Sequence, residues 1–233
     1  RPAATCDRIQ IAVGEAFGGQ HVADDDDGSL GDAGVLQLAR NAGERAAQHG
    51  LPRPAGESHY SSGCFGLVAA GEQLGQVYAH LYPIRFTALR LFTVYGPRQR
   101  PDLAIHKFYC QMRRHREILL YGDGSTSRDY TFVGDLVAGI LAAVRSTPVE
   151  RFQLFNLGSG RPVSLLELVR ALEQVTGITA RIRFTGEQPG DVKHTWADIG
   201  RARRLLGYRP QTSLLRGLEA FVSWKEQLQS IVY

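Results

Sequence analysis

The 233 residues, 43% hydrophobic and 21% charged, suffice for one large domain or two small ones around a real core. No apolar run approaches the ~20 residues a membrane helix needs, and no charged-then-apolar leader opens the chain, so a cytoplasmic enzyme or binding protein is expected. A net charge of +4, scattered rather than striped, argues against nucleic acid, and three cysteines without ligand spacing predict reduced thiols and no metal centre.

The first third is weakly patterned. Ile9–Val13 predicts one strand, followed by Gly14, Gly18 and Gly19, and Asp24–Asp27 reads as a solvated loop. Ala33–Gln48 has a ragged helical face, and 49–62 is a Gly/Pro/Ser loop. From Leu67 the signals sharpen. Leu67–Leu81 predicts a helix with Val68, Leu74, Val77, Tyr78 and Leu81 near helical spacing, and Ile84–Phe92 an apolar strand ending in a turn at Tyr95-Gly96-Pro97.

A helix is expected over Asp102–Glu117, a strand over Ile118–Tyr121 and a glycine loop over Gly122–Ser127. Asp135 is read as the cap of a helix bearing Leu136, Val137, Ile140, Leu141 and Val144. Phe152–Leu157 predicts a strand. Ser164 with Glu167 forms a capping box for the helix Leu165–Thr176, which Gly177 ends. A strand at Ala180–Phe184, a helix from Asp198 to Leu206 closed by Gly207, and a last helix over Leu214–Gln229 complete an alternating α/β layout.

Four ordered strings are too specific for a generic α/β chain: ALRLFTVYGPRQRPDLA at Ala88–Ala104, YGDGSTSRDYTFVGD at Tyr121–Asp135, FNLGSGRPVSLLELV at Phe155–Val169 and QPGDVKHTWADIGRARRLLGYRP at Gln188–Pro210. Over about two-thirds of its length the chain resembles the NAD-dependent sugar-nucleotide epimerases and dehydratases of the extended short-chain dehydrogenase/reductase family, most of all UDP-glucuronate 4-epimerases. The resemblance implies a truncated Rossmann-like parallel sheet with a smaller mixed α/β substrate region. The cofactor-like part would span 1–97 and the substrate part 98–233, with 152–158 returning to the main sheet.

It also implies NAD as cofactor and a UDP-sugar as ligand, while the near-replacement of lysine by arginine, with only Lys107, Lys193 and Lys225 present, suggests a bacterial source. A homodimer, or pairing with an intact epimerase, would form through the helix over Leu67–Leu81. Arg128, in a Ser127-Arg128-Asp129 turn, resembles the family's diphosphate arginine, for which a forked, always-charged group is suited. A surface ion pair with Asp129 is its plain alternative. Tyr121 falls where the family stacks an aromatic on the base, Asp191 near the ribose or phosphate, and Thr93 where a hydroxyl would meet a glucuronate carboxylate. Simple packing, a turn-stabilising role and β-propensity are the respective alternatives. Arg98 and Arg100 either line the same cleft or are solvated.

The catalytic half departs from the pattern. The family oxidises C4 of the sugar with NAD, using a tyrosine whose proton affinity is lowered by a lysine four residues on. No lysine precedes Lys107, so Tyr-x-x-x-Lys cannot occur there. Aligned from Ala70-Gly71-Glu72, Cys64 takes the tyrosine position and Val68 the lysine position. In an alternative alignment Ser61 is the catalytic hydroxyl and the Tyr/Lys segment is missing. Gly14, Gly18 and Gly19 are the candidate cofactor turn, with altered spacing and Glu15 among them.

The sequence therefore predicts an epimerase-like protein, of the UDP-glucuronate or UDP-glucose class, that is impaired or inactive. A non-catalytic sugar-nucleotide-binding or regulatory paralogue is the alternative. A 4,6-dehydratase is third, because Gly63-Cys64 offers no acid/base pair.

Overall fold

The computed structural model describes residues 9–15, 64–147, 150–186 and 192–231. The chain divides into two compact units, one of residues 1–91 with 143–155, the other of residues 92–142 with 156–233.

In the first unit, β1 (Ile9–Glu15) runs parallel to β2 (Arg85–Leu91), Ile9 facing Arg85 and Glu15 facing Leu91. β6 (Phe152–Leu157) lies on the other side of β2, giving the order β1-β2-β6. Phe86 N–H donates to Arg151 O and Phe92 N–H to Leu157 O, a constant offset that makes β2 and β6 parallel as well. Connections between parallel neighbours need crossovers, and helix α1 (Cys64–Leu81) belongs to the one that leads into β2.

α1 docks with the opposite face from the one its hydrophobic pattern predicts. Glu72, Gly75 and Ala79 are buried, whereas Leu74, Tyr78 and Leu81 are about half exposed or more. Sterics decide this at Gly75, where Phe86 fills the space a Cβ would need, and Glu72 on the same face pairs with Arg90 of β2. The same division recurs in α3 (Val133–Arg145), where Leu136, Gly139 and Ala143 are buried and Val137, Leu141 and Val144 exposed.

The second unit holds β3 (Thr93–Tyr95), parallel to β5 (Ser127–Phe132), which pairs antiparallel with β7 (Pro162–Ser164). β4 (Glu117–Tyr121) and β8 (Arg181–Thr185) form a parallel pair. Helices α2 (Ala104–Arg113), α4 (Leu165–Thr176) and α6 (Leu214–Ile231) contribute to one core that includes Tyr95, Ile105, Tyr109, Met112, Leu168, Leu172, Leu218 and Phe221. The shortest helix, α5, spans Gly200–Leu206.

The capping box forms as expected: Ser164 Oγ accepts from Glu167 N–H, and Glu167 Oε2 accepts from Ser164 N–H at 2.7 Å. Gly177 and Gly207 take left-handed conformations (φ 68° and 66°) that end α4 and α5.

Other expectations are corrected. Asp135 is not an N-cap, because β5 runs directly into α3. It sits in the first turn, where its charge suits the helix dipole, and Oδ2 accepts from Thr212 N–H at 2.9 Å. Asp198 lies one residue before the N-cap Ile199, accepting from Gly200 N–H at 2.8 Å. The helix expected to reach Glu117 stops at Arg113, because His115 adopts φ 51° and turns the chain into β4. The segment Ser127-Arg128-Asp129 is strand rather than turn.

Candidate functional site

The ordered chemistry of the second unit gathers at the start of β5. Side chains alternate along a strand, so Arg128 and Asp129 leave opposite faces. Arg128 is half-buried, and its Nη1 donates to the carbonyls of Ser127 at 3.0 Å and Lys193 at 3.5 Å. Asp129 is fully buried (0% exposed), which disposes of a surface ion pair as its role.

The Asp129 carboxylate accepts four hydrogen bonds. Oδ1 takes Ser159 N–H at 2.7 Å and Thr131 Oγ1–H at 3.2 Å, and Oδ2 takes Gly160 N–H at 3.0 Å and Ala197 N–H at 3.2 Å. The turn it holds, Gly158–Gly160, has no room for larger residues. A Cβ at Gly158 would lie 3.0 Å from Asp129 Oδ2 and overlap Ala197, and Gly160 sits at φ 69°. Tyr208 Oη–H donates to Gly158 O at 2.9 Å and secures the same turn.

Residues 193–197 run alongside β5. Ser127 N–H donates to Lys193 O at 2.8 Å, Thr195 N–H to Ser127 O at 3.1 Å, and Asp129 N–H to Thr195 Oγ1 at 3.4 Å. Ser127 and His194 form a parallel bridge, and Ser127 Oγ lies 2.9 Å from His194 Nδ1. Arg128 is thus seated beside Lys193, a setting suited to an anion, whereas His194 meets Ser127 on the opposite face of β5. Asp191, assigned from sequence to the nucleotide, lies outside the described residues.

Thr93 opens β3 in register with Tyr130 and is half-buried. Tyr121 ends β4 and is 43% exposed. Arg98 is exposed with φ 66°, and Arg100 makes a bidentate pair with Asp102 (3.1 and 2.7 Å).

Of the residues assigned to catalysis, Ser61 lies outside the described residues. Cys64 opens α1 and Val68 follows one turn later. The tyrosines whose ionisation is displaced move the wrong way for a base: burial pushes the Tyr95 and Tyr208 phenols well above their ordinary 10, helped by the charge of Asp135 and, for Tyr208, also Asp129. Burial likewise raises Tyr109. Gly14 lies inside β1, in register with Arg90, and Gly18 and Gly19 lie outside the described residues.

Sequence reasoning missed Asp129 as a buried hub. Its signal was the adjacency of Asp129 to Arg128 on an alternating strand, hidden because the segment reads as a turn.

Residues 62–158 match the NAD dependent epimerase/dehydratase family. The chain is 36% identical over 162 residues to the UDP-glucuronate 4-epimerase of Thermodesulfobacterium geofontis, covering 69% of this chain and 49% of that one. It is 39% identical over 158 residues to an uncharacterised UDP-glucose epimerase of Bacillus subtilis, covering 68% and 50%. The chain thus spans about half the length of the curated relatives it matches.

Among solved structures, UDP-glucuronic acid 4-epimerase from Bacillus cereus, in complex with UDP-glucuronic acid and NAD, superposes with TM-score 0.67 at 36% identity, covering 74% of this chain and 58% of that one. MoeE5 in complex with UDP-glucuronic acid and NAD gives TM-score 0.70 at 28% identity, covering 83% and 71%. The sheet is accordingly the Rossmann-like parallel sheet of such epimerases, and over residues 62–158 the chain matches the NAD-dependent epimerase/dehydratase family.

Proposed function

We propose that this chain binds a UDP-sugar of the UDP-glucuronate or UDP-glucose class and is impaired as a 4-epimerase. The binding half of this reading is supported above all by the placement of Arg128 beside the 193–197 segment, where a guanidinium is held by the carbonyls of Ser127 and Lys193. Tyr121 would stack on the base and Thr93 would meet the sugar's carboxylate, the roles that the family resemblance assigns to these positions.

The impairment is supported by the residues of α1. Removing a hydroxyl proton at neutral pH needs a base, and Cys64 with Val68 supply neither a phenol nor an ammonium. Lys107, the first lysine of the chain, lies beyond that helix. NAD is the cofactor bound in the relatives' structures, yet in doubly wound sheets the dinucleotide strand is separated from the sixth by two others. Here β1 pairs directly with β2, whose end at Ala88–Leu91 resembles the end of the family's sixth strand, and this favours weak or absent NAD binding.

The exposed stripe of Leu74, Tyr78, Leu81 and Tyr82 suits a second copy, or an intact epimerase, packed on α1. Incubating the purified chain with UDP-glucuronate or UDP-glucose and added NAD, followed by chromatography, tests the reading. Unchanged sugar nucleotide, with UDP binding seen by calorimetry, is expected. Interconversion that is lost on Ser61→Ala or Cys64→Ala would overturn it.

A further inference from the structure

We propose that Asp129 is a positioning residue for the anion site, acting on Arg128 through the 193–197 segment. This rests on the reading of Arg128 as a diphosphate ligand and adds a residue that never touches the ligand.

Arg128 Nη1 is held partly by the carbonyl of Lys193, so the guanidinium is placed only as well as that carbonyl is. The carbonyl is fixed by Ser127 N–H at one end of the segment. At the other end, Ala197 N–H reaches Asp129 Oδ2, and Thr195 Oγ1 accepts from Asp129 N–H. The same carboxylate holds the amides of Ser159 and Gly160, so one buried side chain ties three stretches of backbone together.

Networks of this kind lose more than one bond when a single acceptor is lost, because each neglected donor is left buried. A strand alternates, so Asp129 does this from the face opposite the anion.

Asp129→Asn keeps the size and one acceptor oxygen but turns an NH2 group toward two backbone N–H donors. Calorimetric titration of UDP into the full chain is the test, with amide exchange read over 193–197. The expected result is cooperative unfolding retained, UDP affinity at least tenfold weaker and faster exchange over 193–197. Thr195→Val loosens the same segment without touching the carboxylate and should weaken UDP about threefold, which decides the matter if Asp129→Asn fails to fold.

Glu72→Gln serves as the destabilised control: its melting temperature should fall while UDP affinity stays at the wild-type value. Wild-type affinity in both Asp129→Asn and Thr195→Val would overturn the positioning role and leave Arg128 as a ligand. Failure of the wild-type chain to bind UDP would overturn the diphosphate reading itself, and the positioning role with it.

Discussion

Arg90 grips Glu72 with both ends of its fork, Nε to Oε1 at 2.7 Å and Nη2 to Oε2 at 2.8 Å, fastening α1 to β2. The two side chains are only 17% and 9% exposed, so each charge has exchanged water for its partner. Breaking such a pair from one side leaves a buried charge uncompensated. Glu72→Gln or Arg90→Met should each cost ~3 kcal/mol of unfolding free energy. The double replacement Glu72→Met/Arg90→Met should recover most of that loss, because apolar side chains of similar volume can fill the same space. Urea unfolding midpoints of the three variants check this. A double mutant as unstable as the sum of the singles would show that the pair does not act as a unit.

A second prediction concerns acid. Glu167 is held below its ordinary 4.5, first by Ser164 N–H and then by the Ser164 hydroxyl. A folded value lowered in this way contributes stability above pH 4.5 and loses it as pH falls through the folded value. Ser164→Ala removes the Oγ that accepts from Glu167 N–H, and it should cost ~1 kcal/mol at pH 7. The contribution of Glu167, read as wild type minus Glu167→Gln, should shrink steadily below pH 4.5. A constant difference between pH 7 and pH 3 would contradict this sign.

The elements with strong local chemistry were legible from the residues. Ser164 and Glu167 announce α4, and Gly177 and Gly207 close their helices because left-handed backbone favours glycine. Three-residue strands were not legible: Thr93–Tyr95 and Pro162–Ser164 owe their existence to pairing with β5, a tertiary effect with no local period. The orientation of α1 was misread for a related reason. Hydrophobic spacing points Leu74, Tyr78 and Leu81 inward, but Phe86 leaves no room for a Cβ at Gly75, and Glu72 on that face pairs with Arg90. Arg128 was found from a motif, whereas Asp129 needed the structure, since its four donors come from residues up to 68 positions away.

Arg128 leads to the third prediction. If its guanidinium meets the diphosphate, Arg128→Ala removes a charge-assisted pair worth ~1.5–3 kcal/mol, a loss of about ten- to a hundred-fold in UDP affinity. Arg128→Lys should recover only part of it, since an ammonium lacks the fork that reaches both the ligand and the Lys193 carbonyl. Calorimetric titration of UDP measures both variants. Equal affinity in wild type and Arg128→Ala would make Arg128 a bystander.

The last prediction comes from the packing of α2 against α6. His106 is buried, with its ring edge-on to Phe221 at 5.7 Å, and its Nδ1 has no hydrogen-bond partner. Burial, and then the charge of Lys225, pushes its proton affinity below the ordinary 6.5, against a smaller opposing pull from the Gln99 carbonyl. Above pH 6.5 the folded and unfolded chains both carry a neutral imidazole there, so the residue adds no pH dependence. Below 6.5 the unfolded chain takes up a proton that the folded chain refuses, and stability falls until the folded value is reached. Wild type should therefore lose melting temperature between pH 7 and pH 5 more steeply than His106→Leu. Tyr109→Phe provides the contrast: Tyr109 Oη is also buried without a partner against Phe221, but its removal changes no charge in this range. Its melting temperature should match or exceed wild type by the same margin at both pH values, separating the cost of an unpaired polar atom from the cost of titration. Parallel pH profiles for wild type and His106→Leu would show that the buried imidazole is not what makes this packing acid-sensitive.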